Sequence, residues 1–301
     1  MKKIILLLLA FIISNAEPIT PLKPIHVDNN KVKLGKALFF DTILSADNTI
    51  SCATCHDLEN GGDDGLKSSF GIDGQKGDIN SPTVYNAVYN FRQFWNGRAK
   101  DLQDQASGPV ENPIEMGHNF KKLVQILNKT QYKKEFENIY EDGVTKENIT
   151  NAIAEFEKTL ITLNSPFDKY LLGDETALNQ DAKDGYKLFK QKGCIACHHG
   201  INVGGNLYNK FGVMQMIDSK RLGRFEVTGK VEDKLYFKVP TLRNIELTSP
   251  YLHDGRYEKL EDTVKFMARY QLGRILNEEE IHKIVKFLKS LTGEIPQSAK
   301  R

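Results

Sequence analysis

Little in this sequence is extreme, and its shortages narrow the field. Among 301 residues there are 41 basic and 39 acidic side chains, so no excess of either charge draws the chain to nucleic acid. After the first sixteen residues no apolar run approaches the roughly 20 residues of a membrane-spanning helix. No convincing run alternates apolar with polar residues, which argues against a sheet-based core and leaves short strand pairs in loops open. Only four cysteines and one tryptophan occur. Against these shortages, 40% hydrophobic and 27% charged residues suit a globular chain with a real core and exclude a wholly disordered one.

The first sixteen residues carry Lys2 and Lys3, an apolar stretch from Ile4 to Ile13, and then Ser14-Asn15-Ala16. These are the three regions of a secretory signal, and the apolar stretch is too short to remain as a span. Cleavage after Ala16 is expected, which leaves a formally neutral mature chain without a membrane span.

The length suits two domains. Val32, Leu34, Leu38 and Phe39 give an approximate helical stripe, and 57–80 is a glycine-rich loop whose length implies a function. Between Thr145 and Leu163, Ile149, Ile153, Phe156, Leu160 and Leu163 share one helix face, and Pro166 follows closely. A boundary is expected there, dividing the mature chain into 17–165 and 166–301. A helix over about Gln180 to Lys192 begins the second half. Near the end, Asn277 and Glu280 form a capping box, followed by Ile281, Ile284, Val285 and Leu288 at helix spacing, with Gly293 beyond the last turn.

An exported chain would ordinarily pair its cysteines in disulfides. Here the spacing argues otherwise. Cys52-Ala53-Thr54-Cys55-His56 and Cys194-Ile195-Ala196-Cys197-His198 are two copies of C-x-x-C-H, the pattern for covalent haem attachment, and they use every cysteine. C-x-x-C also serves disulfide exchange and zinc binding, but two such copies followed by histidine favour haem. His56 and His198 then meet the irons, and His199 reads as a neighbour of the second site. A helix leads into each motif, a weak internal duplication. The expected fold is mainly α, with two cytochrome c-like domains, each wrapped with long loops round one covalently bound c-type haem.

Further stretches resemble the bacterial dihaem cytochrome c peroxidases. They are Asn80-Ser81-Pro82-Thr83-Val84-Tyr85-Asn86, Phe94-Trp95-Asn96-Gly97-Arg98, Gln105-Ala106-Ser107-Gly108-Pro109 and Glu115-Met116. In the second half they are Lys238-Val239-Pro240-Thr241-Leu242-Arg243-Asn244, Tyr251-Leu252-His253-Asp254-Gly255, and Met267 followed by Gln271-Leu272-Gly273. The resemblance implies a periplasmic enzyme that reduces hydrogen peroxide to water, commonly as a homodimer. Electrons from a small donor, a cytochrome c or a copper protein, enter at the C-terminal haem and pass to a peroxidatic N-terminal haem.

Individual roles follow from the same resemblance. Met267 becomes the second ligand of the C-terminal haem, and a Met/His pair suits an electron-accepting haem by raising its potential. By spacing alone Met267 would be core packing. Glu115 becomes the acid/base of peroxide cleavage and Gln105 its hydrogen-bonding neighbour, whereas an isolated glutamate in a loop is usually a solvated charge. Trp95 becomes a relay between the haems, or simply an aromatic packing their interface. Asn80, with the carbonyls of Thr248 and Pro250, matches a calcium site between the domains; by itself Asn80 would be a turn residue.

One position departs from the family. Many members carry a histidine just after Ser-x-Gly in the glycine-rich loop, which blocks the peroxidatic iron at rest; here Ser69-Phe70-Gly71 is followed by Ile72. Isoleucine cannot ligate iron. An open site in the oxidised protein is therefore expected, with His118 as the nearest candidate for a substitute ligand. Two other functions compete: a pure electron-transfer dihaem cytochrome, which needs no Glu115 and Gln105 pocket, and the related enzyme that oxidises tryptophans of another protein, which has tyrosine where Met267 stands.

Overall fold

The computed structural model describes residues 17–300, so the leader expected over 1–16 lies outside the described residues. The first half holds α1 (Asn29–Phe40), α2 (Cys52–Cys55), α3 (Leu102–Glu111), α4 (Phe120–Leu127), α5 (Tyr132–Glu137) and α6 (Lys146–Glu157). The second holds α7 (Pro166–Leu171), α8 (Gln180–Lys192), α9 (Phe225–Thr228), α10 (Leu260–Leu272) and α11 (Glu278–Lys289). One small antiparallel ribbon, β1 (Tyr208–Lys210) with β2 (Tyr236–Lys238), pairs Tyr208 with Lys238.

The helices begin where side chains can take up orphan backbone N–H groups. Asp28 caps α1, Thr145 caps α6 and Asn179 caps α8. Asn277 and Glu280 form the reciprocal box of α11. Gly193 ends α8 at φ 99°, a left-handed conformation that glycine adopts without strain. The stripe seen from Thr145 to Leu163 is helical only as far as Glu157. Leu160 is nevertheless fully buried, and leaving the helix lets Thr162 serve as a tie between the halves.

Each half has its own core, built on the same crossing of two helices. In the first, α1 packs on α6 with Leu34, Leu38, Phe39, Ile149, Ile153 and Phe156 buried together. In the second, α8 packs on α11 around Tyr186, Phe189, Ile284, Val285, Phe287 and Leu288. The crossings are close. A Cβ added to Gly35 would lie 1.8 Å from the Ala152 carbonyl oxygen and 3.0 Å from Phe156 Cβ. A Cβ added to Gly185 would lie 1.9 Å from the Lys283 oxygen and 3.0 Å from Phe287 Cβ.

A second repeat appears as P-T-x-x-N, at Pro82-Thr83-Val84-Tyr85-Asn86 and Pro240-Thr241-Leu242-Arg243-Asn244. In both, the threonine hydroxyl accepts the backbone N–H two residues on, at 3.0 Å. Both asparagines take φ 60°, and both donate Nδ2 to the hydroxyl of buried Thr162, at 2.8 and 2.9 Å. The halves therefore meet at one side chain.

The ends of the described chain cross over. Ile19 is buried in the second core, and the Thr20 carbonyl accepts from Arg243. Ala299 is buried in the first core. The expected division into 17–165 and 166–301 does not register this exchange, which needs contacts far apart in sequence. Among the described residues no helix is long and apolar enough to cross a membrane.

Candidate active site: two cavities sharing one tryptophan

Each C-x-x-C-H motif opens onto a cavity. The first, of about 530 Å³, is lined by Cys52, Cys55 and His56, and also by Trp95, Gln105 and Glu115. The second, of about 210 Å³, is lined by Cys194, Cys197, His198, Met267 and Trp95. All four cysteines are free. Burial pushes the Cys55 and Cys194 thiols up to about 11 and raises Cys52 as well, the reverse of what thiolate exchange or zinc ligation requires. Among the described residues no three His, Cys, Asp or Glu side chains converge as a metal cluster.

The histidines suit haem iron instead. Nδ1 of His56 lies 3.2 Å from the Gly62 carbonyl, which can only accept; the proton therefore belongs on Nδ1 and the Nε2 lone pair is left free. His198 Nδ1 is buried beside the Val203 and Pro240 carbonyls but reaches no strict hydrogen-bond geometry among the described residues. The Pro82 carbonyl sits likewise beside His56, so the P-T-x-x-N repeat backs both rings. Burial lowers the pKa of His56, and that of His198 to about 4, keeping both neutral as iron ligation demands. His199 does not line the second cavity; its Nδ1 meets the Asn206 amide at 3.1 Å.

Above the first cavity, α3 presents Gln105 and Pro109 one turn apart. The chain then turns at Asn112, whose amide donates to Glu115 Oε1 at 2.7 Å. Burial raises the Glu115 carboxyl above its ordinary range, while the Asn112 bond and the Arg98 charge oppose the rise. Arg98 lies over the Phe94 ring at 3.3 Å. Ile72 donates its N–H to the Glu115 carbonyl at 2.9 Å, and a Cβ on Gly71 would strike the Ile114 oxygen at 2.1 Å. The glycine-rich loop thus braces the turn that carries Glu115. Ile72 itself packs towards Gly117 and does not line the cavity. Nor does His118, whose Nδ1 accepts the Asn119 N–H at 2.7 Å.

Trp95 lines both cavities, with Nε1 donating to the Asn80 carbonyl at 2.9 Å. Asn80, Thr248 and Pro250 all line the second cavity. The Asn80 amide donates to the Leu66 carbonyl at 2.9 Å, which leaves its Oδ1 without a hydrogen bond among the described residues.

The chain has the relatives this geometry suggests. The family model for di-haem cytochrome c peroxidase matches residues 29–176, and that for cytochrome c matches 182–292. The cytochrome c551 peroxidase of Nitrosomonas europaea is 50% identical over 93% of this chain and 85% of its own length. That of Pseudomonas aeruginosa is 43% identical over 93% and 84%. This chain belongs to the bacterial dihaem cytochrome c peroxidases. A MauG-like protein associated with microbial copper homeostasis shares the fold at TM-score 0.80 and 25% identity, covering 91% of this chain and 93% of that one.

As a dihaem cytochrome c peroxidase it is an enzyme with two c-type haems and hydrogen peroxide as substrate. The mainly helical fold matches the sequence expectation. Among the charged residues of the cavities to which the sequence pattern had assigned no role are Glu157, Arg221 and Glu226 in the first and Lys238 in the second. Glu157 had a visible signal, since it lies four residues after Ile153 on the buried face of α6. Arg221 and Glu226 had none, because they reach the first cavity from the other half of the chain. There Arg221 joins Asp78 at 2.8 Å and also pairs with Glu226.

Proposed function

We propose that this peroxidase works in the periplasm, taking electrons from a small donor, a cytochrome c or a copper protein, at the second cavity. They pass by Trp95 to the first, where hydrogen peroxide takes up two electrons and two protons to give two waters. The unequal lining of the cavities carries this reading. Asp78, Glu115, Glu157 and Glu226 face the first, with Arg98 and Arg221. Lys192, Lys210 and Lys238 face the second, with Met267 and no acid. At the first the charges largely offset one another, since Arg221 pairs with Asp78 and Glu226 and burial pushes Glu157 up to about 8, whereas positive surroundings with a Met/His pair raise the potential of the second. Electrons are then most easily accepted at the second site.

When bound, the first haem supplies the iron at which the O–O bond breaks, and the second supplies an electron relay. Glu115 takes a proton from one peroxide oxygen and returns it to the other, a task favoured by its raised pKa. Asn112 holds the carboxyl in place, and Gln105 hydrogen-bonds the peroxide. The free Asn80 Oδ1 and the carbonyls of Thr248 and Pro250 would supply oxygen ligands to calcium, with waters completing the six to eight that the ion takes. Calcium there would tie the glycine-rich loop to the C-terminal half.

Ile72 has no lone pair for iron and neither it nor His118 lines the first cavity, which supports a peroxidatic site that is open in the oxidised protein. Mixing fully oxidised enzyme with cyanide tests this. Rapid spectral change without pre-reduction is expected; a low-spin, unreactive first haem that responds only after one-electron reduction overturns it. Steady-state peroxide turnover with a reduced cytochrome donor tests the function as a whole, because a mere electron carrier would show only slow, unsaturable oxidation.

A further inference from the structure

A buried charge needs a partner, and Lys238 has none. It is 6% exposed at the end of β2, its backbone N–H donating to the Trp95 carbonyl at 2.8 Å. Among the described residues its ammonium group makes no hydrogen bond and no ion pair, and no carboxylate lines the cavity it faces. Of the other lysines there, Lys192 is already paired with Glu280. An unpaired ammonium in such a place is strongly unfavourable, because burial strips its hydration and nothing replaces it. A haem brings what is missing, because its two propionate side chains are anions.

We propose that Lys238 is the counter-ion of a propionate of the second haem, holding that haem on the Trp95 side of its cavity. This rests on the reading of the second cavity as the electron-accepting site. The ribbon argues in the same direction. Tyr208 pairs with Lys238 across it, and the next residue, Asn209, donates Nδ2 to Cys197 Sγ at 3.1 Å, so the ribbon lies against the segment of haem attachment. Lys238 does not touch peroxide and is a positioning residue. It neutralises a carboxylate that would otherwise oppose reduction of the neighbouring iron, and so lifts the potential of the second haem alone.

The test is a redox titration of the purified dihaem protein. Lys238→Met should keep both haems attached and the Met267 ligation signature intact, while the upper midpoint potential falls and the lower one stays. Lys238→Arg, which keeps the charge, should restore the upper potential. An unchanged upper potential in Lys238→Met overturns the proposal, as does a fall that arginine fails to rescue. Should the methionine variant not fold, a crystal structure of the haem-loaded wild type decides. Nζ within hydrogen-bond distance of a propionate oxygen supports the pairing, and Nζ bonded only to carbonyls or water overturns it. Loss of Met267 ligation in the wild type would instead count against the reading of the cavity itself.

Discussion

The two halves of this enzyme share a scaffold and differ in what they aim at the haem. Gly35 against Ala152 and Phe156 repeats as Gly185 against Lys283 and Phe287. Pro82 behind His56 repeats as Pro240 behind His198, and Asn86 and Asn244 converge on Thr162. The two cavity linings share only Trp95, Asn80 and the short stretch that follows Asn80. One presents a carboxyl with a raised pKa, the other a thioether and lysines. On the proposed reading, attachment and proximal ligation are one generic solution used twice, and the division of labour lies in the distal lining.

The comparison breaks most sharply at Glu115. Replacing it with glutamine should leave both haems attached and lower peroxide turnover by roughly 10²- to 10⁴-fold, the range for losing an acid/base; wild-type turnover would remove Glu115 from the mechanism. The matching change on the other side is Met267→His. Imidazole donates more strongly to ferric iron, so the upper potential should fall, within the roughly 0.8 V that axial ligation spans, and electron entry should slow. An unchanged upper potential in a redox titration would mean that Met267 is not a ligand.

The shared scaffold gives a pair of smaller, equal effects. Gly35→Ala and Gly185→Ala each push a methyl into a backbone carbonyl that cannot swing aside, and each should cost about 1–3 kcal/mol of stability. Denaturant melts of the two variants should agree. Tolerance of one and collapse of the other would show that the crossings are not equivalent.

A further difference between the halves concerns pH. Burial raises Glu157 to about 8 and Asp63 to about 7, so the folded chain holds these protons more tightly than the unfolded one. Their contribution is fully present below the ordinary carboxyl range and is lost as pH rises through about 7 and then 8. Both residues belong to the first half. Thermal unfolding followed by haem absorbance at pH 6 and pH 9 should show an alkaline loss that Glu157→Gln with Asp63→Asn reduces. An equal loss in the double variant would place the sensitivity elsewhere.

Much of this is legible in the amino-acid sequence. The haem motifs are, because covalent attachment and proximal ligation need five contiguous residues. So are α8 and α11, whose caps and stripes are local. The P-T-x-x-N repeat is also legible, although its equivalence in the two halves is plain only once both asparagines are seen on Thr162. Glu115 has no local signal at all, since nothing in a loop sequence shows that Asn112, Arg98 and burial will act on one carboxyl. The stripe from Thr145 to Leu163 overstates its helix, which ends at Glu157, because Leu160 stays buried without being helical.

By itself, then, the sequence determined that this is a mainly helical chain with two c-type haem motifs. Those properties depend on residues within one motif or one helix turn. Only the tertiary structure decided that the acids line one cavity and the lysines the other. It alone decided that Trp95 lies in both walls, and that the two ends of the chain exchange cores. Each of these joins residues far apart along the chain, and electrostatics and burial act through space rather than along it.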